Sequence, residues 1–303
     1  MKPRFYFLFT FFTLFLLFNP GDSELFHVFA YNRRLFEEKK PRRQLVLQPV
    51  AIVKNKTAPQ TTAEGIYILD LPSFTPVFAK NEREKLLPAS TTKMLTALVT
   101  YDLAKPDDVV TIQNVLEDGQ VMGLVPGEKI TIENLLYGTL VHSGNDAAYA
   151  LADHFGRKQF VELMNKKAEQ LHMTNSHFQN PAGLDAFNQY TTAFDLSLAA
   201  RELLKNKYLS KIAGTKEIVV PDQDFKYFHT LTNVNKLLGE VQGIGGLKTG
   251  YTENAGENLV SLYKTPSGHE FIIVVLKSLD RFQDTRNILQ WINENVDYVT
   301  IHS

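Results

Sequence analysis

The chain has 303 residues, a formal net charge of -1, 44% hydrophobic residues, eight histidines and no cysteine. That length suits one large domain or two small ones with a substantial core, and the near-zero charge gives no reason to expect a nucleic-acid partner. No CxxC, HExxH or other metal-ligand set and no GxSxG elbow is present, so neither a metal nor a cofactor is expected, and His154, His172 and His177 read as structural or surface residues.

At the N-terminus, Lys2 and Arg4 flank an apolar run from Phe5 to Phe18 broken only by Thr10 and Thr13, and Gly21-Asp-Ser23 offers small residues at the offsets of a cleavage site. Residues 1–23 are expected to be an export signal or, if uncleaved, an N-terminal anchor. The run is short for a membrane span, which takes about 17–25 residues, and its terminal position beside basic residues argues against a core helix. Residues 24–58 read as a charged connector, with Arg33, Arg34, Lys39, Lys40, Arg42 and Arg43 offset by Glu37 and Glu38 and interrupted by Pro41 and Pro49. A solvated tether is the expectation, attraction to anionic polymers the alternative. Residues 59–303 then form the functional domain, without an internal repeat.

This domain opens with a strand at Gly65-Ile-Tyr-Ile-Leu-Asp70, a turn around Pro72 and Ser73, and a second strand near Val77. Leu87-Pro88-Ala89 leads into Ser90-Thr-Thr-Lys93, and Met94, Leu95, Leu98 and Val99 follow at helical spacing, so Ser90 opens an apolar helix with Lys93 about one turn on over the same face. A chain this long holds roughly one SxxK by chance, and a solvated surface pair is the ordinary reading of one. The apolar flanks of Lys93 reverse it: burial disfavours the ammonium form, a second cation nearby disfavours it further, and a neutral lysine beside a serine hydroxyl can take its proton.

Helical patterns dominate from Ser90 to Leu204. Within them Ser143-Gly-Asn145 joins a helix over Ile132–Val141 to a second helix, with Asn145 or Asp146 as its expected cap. A turn between helices explains these residues by itself. The functional reading adds a proton-passing hydroxyl at Ser143 and a substrate-orienting amide at Asn145.

Strands return from about Ile218 to Leu276. Lys248-Thr-Gly250 lies in the glycine-rich strand segment Gly245–Thr252, and KTG arises by accident in fewer than about one such chain in ten. Glycine there marks close approach of a ligand backbone or a bulge, while Lys248 and the Thr249 hydroxyl suit a carboxylate, one by charge and the other by a directional hydrogen bond. A second SxxK, Ser261-Leu-Tyr-Lys264, falls on a strand from Glu257 to Tyr263 that turns at Pro266-Ser-Gly268 into Phe271–Leu276, which leaves Lys264 solvated at the turn. Phe282, Leu289, Ile292 and Val296 mark a closing helix.

Ser90/Lys93, Ser143/Asn145 and Lys248–Gly250, in this order, match the motif set of penicillin-binding proteins and class A β-lactamases. From about Thr62 onward the chain resembles the low-molecular-mass penicillin-binding proteins, serine D-alanyl-D-alanine carboxypeptidases of peptidoglycan metabolism. The likeness extends through Met122-Gly-Leu, Pro126-Gly-Glu128, Leu135-Leu-Tyr137, Ser143-Gly-Asn-Asp-Ala-Ala148, Phe160 to Asn165 with Ala168, His177–Asp185, Tyr190–Ala193 with Asp195-Leu196, Asn233–Leu238 and Lys248–Thr252 with Ala255-Gly256. Ala182 stands where many relatives carry His, and Val234 where some carry a basic residue, which leaves more of the carboxylate recognition to Lys248 and Thr249.

The resemblance implies an α/β (α+β) fold of the serine β-lactamase/DD-peptidase kind, an antiparallel sheet packed by helices with a helical lobe. It also implies attack by Ser90 on the bond between two terminal D-alanines, Lys93 as base, Ser143 and Asn145 as the second catalytic element, and an oxyanion held by the N–H groups of Ser90 and Tyr251. Lys248, Thr249, Gly250 and Tyr251 would line the substrate site. Its implied partners are peptidoglycan stem peptides and, as inhibitors, β-lactams, in an exported protein of the periplasm or cell wall whose membrane attachment comes only through the N-terminus. A D,D-endopeptidase of crosslinks would use the same residues. A class A β-lactamase needs a glutamate in an ExxLN-like loop, and the nearest match, Glu202 with Asn206, lies in a helical run. A silent peptidoglycan-binding protein would not need Ser90, Lys93 and Lys248 together.

Overall fold

The computed structural model describes residues 3–18, 49–55, 57–116 and 118–299. Two units divide the chain, residues 1–47 and 48–303. In the first, α1 (Pro3–Phe18) is one apolar helix of 16 residues with exposed side chains from Phe5 to Phe15. Among the described residues no helix is long and apolar enough to cross a membrane. Residues 19–48, which hold the expected cleavage site and most of the connector, lie outside the described residues.

The second unit is built on five strands: β2 (Gly65–Asp70), β3 (Pro76–Lys80), β8 (Ile244–Thr252), β9 (Gly256–Lys264) and β10 (Glu270–Ser278). They lie in the order β3-β2-β10-β9-β8, each pair antiparallel, with β8 at an edge. The run Phe271–Leu276 is apolar at every position because both sheet faces are covered, and alternation sorts its side chains between them. Phe271, Ile273 and Val275 join Ile66, Ile68 and Leu259 against Ile288, Leu289, Trp291 and Ile292 of α8 (Arg281–Asn295). Ile272, Val274 and Leu276, with Tyr67, Leu69 and Val260, face the helical side. Burying one such side chain fully is worth about 1.5–3 kcal/mol, so the two faces together hold the sheet.

On the helical side stand α2 (Lys93–Leu103), α3 (Ile132–Leu140), α4 (Asn145–His154), α5 (Arg157–Gln170), α6 (Ala193–Lys205) and α7 (Lys207–Ala213). From Lys93 to Thr100 every residue of α2 is buried, which makes it the lobe's central helix. Thr131, Thr192 and Asp280 cap α3, α6 and α8 by accepting the N–H groups of Asn134, Asp195 and Phe282 with Gln283.

Three expectations change. The helical stretch is interrupted by a ribbon of β4 (Val109–Thr111) with β5 (Lys129–Thr131), strands too short to show alternation. A second ribbon pairs β6 (Glu217–Pro221) with β7 (Phe228–Thr232), within the stretch read as strand. Val296 does not end the closing helix but begins β11 (Val296–Val299), which pairs with β1 (Val50–Val53). Residues 50–53 therefore leave the expected connector: Ala51 is buried against the α8 side of the sheet, and the Trp291 indole N–H donates to the carbonyl of Thr57.

Candidate active site

Ser90 sits on a single 3-10 turn (Ala89–Thr92), with the α-helix beginning at Lys93. The turn is tight enough that Ala89 has φ +46° and Gly183 packs directly on its carbonyl. A Cβ at Gly183, where φ is +83°, would collide with Ala89 O, so only glycine fits. On the other side the β8 edge presses in: a Cβ at Gly250 would lie 3.0 Å from Ser90 N and 3.1 Å from Pro88 O. The close approach expected of a ligand backbone at the KTG glycine is made here by the protein's own backbone, at the serine turn.

Lys93 has 0% relative exposure, and its Nζ lies 2.8 Å from Ser90 Oγ, 2.7 Å from Asn145 Oδ1 and 3.0 Å from the carbonyl of Ala182. The last two are obligate acceptors. A neutral amine has two hydrogens, and donating both to Asn145 and Ala182 leaves its lone pair on the serine hydroxyl. Burial pulls the Lys93 pKa down to about 7, opposed by the charge of Asp146. Because the contact at residue 182 is made by the backbone, Ala182 in place of His leaves it intact.

Asn145 is fixed by its neighbours. Its Nδ2 donates to Asp118 O at 3.0 Å and its backbone N–H to Gln120 O at 2.7 Å. The expectation that Asn145 or Asp146 caps α4 does not hold: Gly144 occupies that position with no side-chain cap. Asp146 instead accepts the N–H groups of Met122, Gly123, Leu124 and Ala147, at 2.9, 2.9, 3.1 and 2.8 Å. Met122-Gly-Leu is therefore the segment that ties a crossing loop to the head of α4.

Glu128 fastens the same loop. One oxygen accepts Val125 N–H at 2.9 Å and the other lies 2.7 Å from His229 Nε2, while His229 Nδ1 lies 3.2 Å from Met122 O. Both ring nitrogens thus face acceptors, an arrangement that only the imidazolium satisfies. The hydrogen bond to Glu128 raises the His229 pKa above 6.5 against the opposing effect of burial, with help from the Glu128 and Asp146 charges and the Met122 carbonyl. A raised native pKa means that this stabilisation is complete below about 6.5 and lost as pH rises through the native value. Thermal melts should show it: the advantage of the wild type over His229→Gln is expected to shrink from neutral to alkaline pH, and a constant difference would contradict it.

Lys248, also buried, donates to Ser143 Oγ and to Thr249 O, both at 2.9 Å. Burial first, then the cations of Lys93 and Arg281, push its pKa well below the ordinary lysine range. Ser143 meets Lys248 from a left-handed backbone, φ +61°, which with Ala89 concentrates strain around the site. Thr249 is buried, whereas Tyr251 is 58% exposed. Ser261 and Lys264 take no part: Ser261 is buried within β9, and Lys264 pairs with Glu270 at the surface.

Sequence reading missed Arg281, whose Nη1 donates to Gly250 O at 2.8 Å. It stands just after the cap of α8, where nothing in the sequence distinguishes it from a surface arginine. The Ala182 carbonyl carries no side-chain signal either. The His229–Glu128 pair is separated by 101 residues and follows no local spacing.

A serine–lysine centre at the edge of a helix-covered antiparallel sheet defines the serine β-lactamase/DD-peptidase class of fold. The D-alanyl-D-alanine carboxypeptidase family matches residues 52–279, and the chain belongs to that family. It is 32% identical over 270 residues to the D-alanyl-D-alanine carboxypeptidase DacD of Escherichia coli (strain K12), covering 80% of this chain and 66% of that one. To DacF of Bacillus subtilis (strain 168), of the same enzyme name, it is 37% identical over 188 residues, 59% of this chain and 48% of the relative. The chain thus spans about half to two thirds of the length of these relatives. Among solved structures, the Streptomyces K15 DD-transpeptidase superposes with a TM-score of 0.72 at 31% identity, covering 78% of this chain and 98% of that one. A D-alanyl-D-alanine carboxypeptidase from Mycobacterium tuberculosis H37Rv gives 0.74 at 27% identity, covering 80% and 96%.

Proposed function

We propose that this chain is a penicillin-sensitive serine hydrolase that removes the terminal D-alanine from peptidoglycan stem peptides. The observation that carries the reading is the placement of Lys93 Nζ 2.8 Å from Ser90 Oγ and within 3.0 Å of two obligate acceptors, Asn145 Oδ1 and Ala182 O, so that the neutral amine, with its hydrogens on those two, turns its lone pair to Ser90 Oγ. Ser90 Oγ attacks the carbonyl of the penultimate D-alanine and passes its proton to Lys93. The developing oxyanion is stabilised by the N–H groups of Ser90 and Tyr251. Collapse expels D-alanine, whose nitrogen takes a proton by way of Ser143, and water then cleaves the ester to regenerate Ser90. Lys248 and Thr249 hold the terminal carboxylate, and the second N–H of Asn145 Nδ2 orients the peptide amide. A β-lactam acylates the same oxygen because its strained amide and carboxylate occupy the same positions.

The remaining parts follow from this reading. Residues 1–23 serve as an export signal or anchor, the connector ends near residue 48, and the catalytic body follows, acting outside the cytoplasm in the periplasm or cell wall. Membrane attachment, where present, comes through the N-terminal segment.

A second reading, cleavage of crosslinks, draws support from Tyr251: a side chain more than half exposed leaves room for a bulkier leaving group. Chromatography of digests on defined muropeptides separates the two. Release of D-alanine from pentapeptides is expected to outrun loss of crosslinked dimers, and dimers consumed while pentapeptides persist would make the protein an endopeptidase.

A further inference from the structure

Asn258 lies on β9 directly opposite Gly250 of β8 and is fully buried. Its Nδ2 donates to two successive carbonyls, Leu87 O at 2.9 Å and Pro88 O at 3.1 Å, and its Oδ1 accepts the N–H of Lys277 at 2.8 Å. With both hydrogens and the oxygen committed, this side chain has nothing left to offer a substrate. It joins the centre of the sheet to the two residues that lead into the Ala89–Ser90 turn. That turn holds a left-handed alanine against the β8 edge, a geometry that an untethered chain would relax.

The two N–H groups that the proposed mechanism uses for the oxyanion come from the two sides of this junction. Ser90 N–H belongs to the turn that Asn258 holds, and Tyr251 N–H to the strand it backs. Arg281 fixes the second: in a trans peptide the carbonyl and the next N–H point in opposite directions, so Gly250 O turned to Arg281 directs Tyr251 N–H the other way. Arg281 therefore orients one donor, but nothing in that contact sets the distance to the other. We infer that Asn258 is a positioning residue for the oxyanion pocket, holding the Ser90 and Tyr251 N–H groups at the spacing that the tetrahedral oxygen requires. The inference rests on the proposed serine acyl-transfer reading.

Removing one oxyanion donor in acyl-transfer enzymes costs roughly 10²–10³-fold in rate. Carboxylate and amide recognition by Lys248, Thr249 and Asn145 does not pass through Asn258, so the loss should fall on the chemical step. In stopped-flow acylation of the full chain by a fluorescent penicillin, Asn258→Ser is expected to lower the acylation rate constant by roughly 10²-fold, with the preceding dissociation constant within about threefold of wild type. Ser261→Ala, buried on the same strand, serves as the packing control and is expected to acylate normally. Asn258→Asp provides the second variant: its carboxylate repels the Leu87 and Pro88 carbonyls until it is protonated, so its rate relative to wild type is expected to rise as pH falls. Acylation of Asn258→Ser at the wild-type rate, equal losses in binding and rate, or a pH-independent Asn258→Asp ratio would each overturn the inference while leaving the acyl-enzyme reading in place. A wild type that penicillin fails to acylate would overturn that reading and the inference with it.

Discussion

Intact-mass spectrometry of the chain after penicillin treatment is expected to show a single covalent adduct, absent in Ser90→Ala and retained in Ser261→Ala. Two serines stand three residues before a lysine, but only one pair shares a site. Lys93 Nζ lies 2.8 Å from Ser90 Oγ, whereas Ser261 is enclosed within the sheet and Lys264 is engaged with Glu270. Alanine at position 90 removes the only oxygen in contact with the Lys93 lone pair and leaves the turn intact, since Thr91 still bonds Pro88 O and Asn258 still holds Leu87 and Pro88. Loss of the adduct should therefore be complete while the melting temperature stays near that of wild type. An adduct that survives Ser90→Ala would place the nucleophile elsewhere and sink the proposed mechanism.

The parts of this site that were legible in the sequence are those in which chemistry is carried by side chains a few residues apart. Ser90 with Lys93, Ser143 with Asn145, and Lys248 to Gly250 announce themselves because a turn of helix or a stretch of strand fixes their relation locally. The strands were legible one by one, as apolar runs bounded by turn residues, while their assembly into one antiparallel sheet packed by helices came from the family resemblance. What escaped depends on the fold as a whole. The Ala182 carbonyl has no side-chain identity to read, and Asn258 and Arg281 act across the sheet on backbone atoms. Asp146 resembled a helix cap because an acidic residue before an apolar run usually is one; here the incoming loop offers it three N–H groups from outside the helix. Val50–Val53 reads as connector because four residues beside a basic stretch show no period, and only β11 makes them a strand.

The loop held by Asp146 links the legible and the illegible parts. Its carbonyls at Asp118 and Gln120 hold Asn145, Asn145 accepts from Lys93, and the His229–Glu128 pair fastens the loop's far end. Asn145 is thus positioned largely by backbone groups whose own placement depends on two buried carboxylates. Substitutions at Asp146 or Glu128 would therefore disturb the lysine without touching it.

Lys93→Arg is expected to abolish acylation while preserving the fold, with a loss of at least the roughly 10²–10⁴-fold that a positioned base contributes. Arginine keeps a positive charge and can still donate to Asn145 Oδ1 and Ala182 O, but its guanidinium does not give up a proton in proteins and offers Ser90 no lone pair. Lysine can act because burial outweighs the attraction of Asp146 and brings its pKa to about 7. The sign of the pH dependence follows: below that value the fraction of neutral amine, and with it the acylation rate constant, should fall tenfold per pH unit, and above it the rate should level off. A rate that rises instead as the medium is acidified, or an arginine variant acylated at the wild-type rate, would take the base role away from Lys93. The inactive variant must also still bind, because Lys248, Thr249 and Asn145 remain to hold carboxylate and amide. Retained non-covalent affinity for a stem-peptide analogue would distinguish a lost base from a collapsed site.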